Sequence, residues 1–167
     1  MEERPWHEYA GESADELLAL AATHRIDSLA VAFETALGQK AFKLGEHSLS
    51  IPERDTLAIE ALEREVNNGG YGQFFANSSN EYAAAVLEAL RRVGCEQTAA
   101  ITERALAALP PGLALTMESL DAEMARPNAR RDEDLDACDQ AYFAAREDLA
   151  AALVGYLQRY RDDLRLL

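Results

Sequence analysis

Only two cysteines, Cys95 and Cys138, occur in the 167 residues, and a pair so far apart makes neither a metal motif nor a redox motif. Both are read as buried, reduced thiols. Long apolar runs are also lacking, since no stretch reaches the roughly 20 residues of a bilayer-spanning helix. The opening Met1-Glu2-Glu3-Arg4-Pro5 has neither the basic start nor the apolar stretch of a secretory leader, so a cytoplasmic protein is expected. β-Branched residues are scattered and never alternate over a strand length, which argues against a sheet. Basic residues are few, 16 against 30 acidic, and the formal charge is -14. Such a surface repels phosphate backbones, which argues against direct nucleic-acid binding, and it attracts basic protein surfaces. An acidic surface that serves solubility alone is the plainer reading of the same charge.

What is present is Ala and Leu, strong helix formers within a sequence that is 49% hydrophobic. A chain of this length is the usual size of one domain and buries roughly 70% of its unfolded surface without metal or disulfides. The expected fold class is all-α, a single compact domain of about seven to nine helices.

Helix boundaries follow from local chemistry. Ser13-Ala14-Asp15-Glu16 reads as a capping box that starts a first helix near Ala14, ending near Thr23. Leu29, Phe33, Leu37, Ala41 and Leu44 form the apolar stripe of a second, stopped by Gly45. Pro52 is expected as the first residue of a third, with Leu62 and Val66 inward. Asn67, Asn68, Gly69 and Gly70 end it, because Asn and Gly adopt positive φ most easily. A short helical turn then carries Tyr71, Phe74 and Phe75. Ser78 and Glu81 form a second capping box, opening a long helix through Tyr82, Val86, Leu90 and Val93 to Gly94. Residues 96–109 make another, with Ile101 and Leu106 inward. Pro110-Pro111-Gly112 breaks the chain, a helix spans 113–125, Pro127-Asn128 breaks it again, and a long terminal helix carries Leu149, Leu153, Leu157, Tyr160 and Leu164.

The stretch Asn67-Asn68-Gly69-Gly70, then Gln73-Phe74-Phe75, then Asn77-Ser78-Ser79 and the helix to Gly94 resembles the signature of the bacterial DNA mimic protein family. A weaker likeness runs from Leu135 through Tyr142-Phe143 to Glu147-Asp148-Leu149. The resemblance covers about 54–164 and leaves the first fifty residues largely outside. Tyr71, where Phe is commoner, and Asn80, where Gly is frequent, depart from the family pattern. The resemblance implies an acidic, non-catalytic helical protein that occupies the DNA-contacting surface of a helix-turn-helix transcription factor.

Several local readings stand beside it. The Asn67–Gly70 turn with Gln73 and Asn77 is either a small-ligand or anion site or, more simply, a structural turn whose Gln73 and Asn77 satisfy buried backbone groups. The run Asp132-Glu133-Asp134-Leu135-Asp136 and Asp139 opens like a calcium loop, but Ala137 and Phe143 stand where Gly and Glu are required. No metal or cofactor is expected. Asp132, Asp136 and Asp139 are spaced so that their Cβ atoms lie roughly 5–6 Å apart on one helix side. With Glu118, Asp121, Glu123, Glu133 and Asp134 they form the candidate partner-binding surface, and Glu60, Glu63 and Glu65 form a second patch. His7, His24 and His47 fit no catalytic arrangement. An immunity or antitoxin-like protein that neutralises a basic toxin or nuclease is the alternative interaction reading, and a structural adaptor is the third.

Overall fold

A computed structural model describes residues 3–167, which contain eight α-helices and no strand. The first two residues of the opening, Met1 and Glu2, lie outside the described residues. The all-α expectation is met. The backbone divides into two units, one from the N-terminal sixty residues with Asp148–Leu167 and the other from Ala61–Glu147.

In the first unit, α1 (Ala14–Ala19) begins with the expected capping box. Ser13 N–H donates to Glu16 at 2.8 Å and Glu16 N–H donates to the Ser13 hydroxyl at 3.3 Å. After a 3-10 turn, α2 (Ile26–Leu44) buries Leu29, Phe33 and Leu37. The stripe then leaves the core: Leu44 is exposed, and the buried position on the last turns belongs to Lys40, whose ammonium meets the buried Glu53 carboxylate at 2.7 Å. The helix α3 (Ile51–Ala76) starts one residue earlier than expected, so Pro52 is its second residue. A further capping box explains the shift. Ser50 N–H donates to Glu53 at 2.8 Å and Glu53 N–H to the Ser50 hydroxyl at 3.4 Å.

The long terminal helix is two helices instead of one. α7 (Ala129–Ala144) ends at Ala145, which is extended, and α8 (Leu149–Arg159) starts afresh under an Asp148 cap. α8 buries Leu149, Leu153 and Leu157 and packs on α2, while Tyr160 is exposed and Leu164 is buried beyond the helix. Tyr156 donates to the buried Asp55 at 2.8 Å.

In the second unit, α3 continues to Gly69 and Gly70, where φ/ψ of -163/21 and 77/-176 break the helical ladder. Tyr71, Phe74 and Phe75 follow, each fully buried. The expected Ser78 box does not form: 78–82 are a 3-10 turn without a side-chain cap, and α4 (Val86–Val93) begins later. The neighbouring Ser79 and Asn80 side chains turn inward to carboxylates, which leaves this segment tightly wound. Gly94 closes α4 in the left-handed conformation. α5 (Glu96–Ala107) packs on α4 and on α7, and its N-terminus is capped by Glu147, which accepts from the N–H groups of Gln97 and Thr98 at 2.7 and 2.8 Å. α6 (Met117–Met124) is shorter than expected, since Thr116 supplies the cap and residues 113–116 belong to the connection after Pro111.

Candidate interaction surface

The Asn-Gly break is built around carboxylates. Glu65, on the last turns before the break, accepts from Gln73 Nε2 at 2.8 Å, Asn77 Nδ2 at 2.9 Å and Ser79 Oγ at 2.9 Å. Gln73 and Asn77 therefore bond to a carboxylate, not to the backbone groups expected of them. A carboxylate can accept several bonds and these amides can only reach it because the chain reverses at Gly70. Burial pushes the Glu65 carboxyl upward, but the bonds from Gln73, Ser79 and Asn77 and the Arg64 charge outweigh it and hold it below its ordinary value.

The far side of the break is held by α7. Asp139 Oδ1 accepts from Tyr71 N–H at 2.7 Å, and Tyr71 OH meets Thr102 Oγ1 of α5 at 2.8 Å. Asp139 is half-buried and its carboxyl is raised by burial, against the Tyr71 bond. Asn80, fully buried, donates both to the Phe75 carbonyl at 3.0 Å and to Asp121 Oδ1 of α6 at 2.8 Å. α6 and α7 are in turn clamped by Arg131, which is 4% exposed and donates to the Glu123 carbonyl and carboxylate at 2.7 and 3.1 Å.

The acidic candidates consequently separate into two groups. Glu123 is buried in its pairs with Arg131 and Arg126, and Asp139 is tied to Tyr71, so both position helices. Glu118, Asp121, Asp132, Glu133, Asp134 and Asp136 are exposed, with Asp121 also holding Asn80 and Asp132 paired with Arg131 at 2.8 Å. The second patch does not form as a surface, because Glu60 and Glu65 are buried and Glu63 is half-buried. Of the motif residues, Asn67, Asn68, Gly69, Asn77 and Ser78 are exposed, Gln73 is half-buried, and Gly70, Phe74, Phe75 and Ser79 are buried. The roles of Asp121 and Asp139 as ligands for Asn80 and Tyr71 had no signal in the sequence, where each is one carboxylate among many.

Cys95 and Cys138 are buried free thiols, and burial pushes Cys95 up to about 12. Among the described residues no group of three or more His, Cys, Asp or Glu could hold a metal ion, and no helix is long and apolar enough to cross a membrane. His7 meets Glu12 at 3.1 Å and stacks edge-on to His24.

Fold and site together define an acidic all-α protein organised by a glycine break with carboxylate anchors on either side. The family model of DMP19-like proteins matches residues 47–160, well over half of the sequence, and the chain belongs to this family. Neither a curated protein nor a solved structure matches it.

Proposed function

We propose that this chain is a non-catalytic DNA mimic, which covers the basic DNA-contacting surface of a helix-turn-helix transcription factor in the cytoplasm and keeps the regulator off its DNA. Membership of the DMP19-like family carries the reading. The charge of -14 supports it, as do the exposed carboxylates along α7, Asp132, Glu133 and Asp136, with Glu118 and Asp121 of α6 extending them. Residues i and i+4 on a helix present charges roughly 5–6 Å apart at Cβ, a spacing at which neighbouring Lys and Arg side chains can be engaged together. Glu123 and Asp139 serve the reading indirectly, by fixing α6 and α7.

Attraction of this kind steers encounter and weakens with salt. The test is a mobility-shift assay in which purified helix-turn-helix regulators of the host are challenged on their operator DNA with the full chain. At low salt the chain is expected to free the DNA of one regulator, and added salt is expected to restore the regulator–DNA band. The variant Asp132→Asn with Asp136→Asn is expected to lose the effect while keeping its helicity. Regulators that all stay on their DNA would overturn the reading, and capture of a nuclease or toxin instead would favour the immunity reading.

A further inference from the structure

We infer that Phe143 is an apolar anchor at the end of the acidic row of α7, so that the basic surface it fits carries a hydrophobic recess beside its cations. The inference rests on the mimic reading above and adds the feature by which one basic surface is told from another. Phe143 is 61% exposed. Single exposed apolar side chains are ordinary, but this one is held in place. Its ring meets Tyr142 edge-on at 5.6 Å, and Tyr142 meets the fully buried Tyr71 edge-on at 6.2 Å. A chain of three rings thus runs from the core behind the glycine break to the surface. Aromatic rings held in this way lose little freedom on binding, which makes them effective anchors.

The register matters as much as the exposure. Asp132, Asp136 and Phe143 stand at i, i+4 and i+11 along α7, on a different side from the buried Arg131, Leu135 and Cys138. At 1.5 Å rise per residue the ring's backbone lies about 10 Å along the axis from that of Asp136. The charges commit the occupant to a basic surface. They discriminate poorly among basic surfaces, because exposed charge pairs are worth little each and are screened. A row of phosphates has no aromatic side chain at such a place, so Phe143 copies nothing on DNA. What it supplies is contact that salt does not screen, in the way that aromatic residues dominate other interfaces.

The experiment uses the regulator DNA-binding domain that passes the mobility-shift test as its probe. It is titrated calorimetrically against the full chain, Phe143→Ala, Phe143→Leu and the Asp132→Asn, Asp136→Asn pair at salt from about 50 to about 300 mM. Phe143→Ala is expected to weaken binding about tenfold at every salt concentration and leave the salt slope unchanged. Phe143→Leu is expected to keep most of the affinity, and the Asn pair to flatten the slope. Thermal unfolding matched to the native chain shows that the variants are folded. Affinity of Phe143→Ala within about twofold of the native chain, with the Asn pair still impaired, would remove the anchor and leave the mimic reading standing. If Phe143→Ala and the Asn pair both bind as the native chain does, α7 is not the docking surface and the anchor falls, while the mimic reading moves to another face. If no regulator passes the mobility-shift test, both fall.

Discussion

Replacing Gly70 with Ala is expected to be the most damaging single-methyl change in the glycine break. Gly70 has φ 77 and ψ -176, a region that residues with a Cβ essentially do not enter. A Cβ there would also fall 2.5 Å from the Asp139 Cγ and displace the carboxylate that receives Tyr71 N–H. Backbone strain of this kind costs about 1–3 kcal/mol. Loss of a hydrogen bond to a charged acceptor adds about 1.5 kcal/mol, the low end of the usual range because Asp139 is only half-buried. The sum is about 2.5–4.5 kcal/mol, which for a chain of this size lowers the melting temperature by about 10 °C. Gly69 is the matched control, since its φ of -163 is ordinary extended backbone. An added methyl there meets the flexible Gln73 amide and disturbs one bond to Glu65, at a cost of about 1 kcal/mol. Urea unfolding of both variants, with Asp139→Ala alone and combined with Gly70→Ala, measures the strain and the clash separately. The combined variant is expected to be less damaged than the sum of the two singles. A Gly70→Ala loss no larger than that of Gly69→Ala would refute the proposed role of the break.

Three further outcomes are expected. The Glu65 carboxyl lies below its ordinary value of 4.5 in the folded chain, so the unfolded chain binds more protons in the acid range. Its contribution is then complete above about pH 5 and lost as the pH falls through the lowered value. The stability deficit of Glu65→Gln should accordingly shrink on acidification, and a deficit constant from about pH 7 to about pH 3 would contradict this. Lys40→Met leaves the fully buried Glu53 without its ammonium, though still bonded to the N–H groups of Ser50 and Arg165. A loss of about 3 kcal/mol by chemical denaturation is expected, and less than about 1 kcal/mol would refute it. Cys95, buried and pushed up to about 12, should resist alkylation at pH 8 until the chain is unfolded. Rapid labelling of the folded chain, followed by mass spectrometry, would show otherwise.

Much of the helical order was legible in the sequence, because capping boxes, glycine stops and 3.6-residue stripes act over a few residues. Ser13 and Glu16 cap α1 as read, Gly94 closes α4, and the chain breaks at Gly69-Gly70. The failures were also local signals, overruled by partners distant in sequence. The Ser78 box gave way because Ser79 and Asn80 are held by Glu65 and Asp121. Leu44, the last residue of α2, is left in solvent, and the buried residue one turn before it is Lys40, paired with Glu53.

The acidic surface shows the division most sharply. Net charge, helix class and the glycine signature are properties of composition and short spacing, and they can be read before any fold is known. Which carboxylates face solvent and which hold the helices was decided by tertiary structure alone. In the sequence Asp136 and Asp139 are neighbours of the same type on the same helix. Folding leaves Asp136 exposed and binds Asp139 to the Tyr71 backbone 68 residues away, where Gly70, lacking a Cβ, leaves room for its carboxylate.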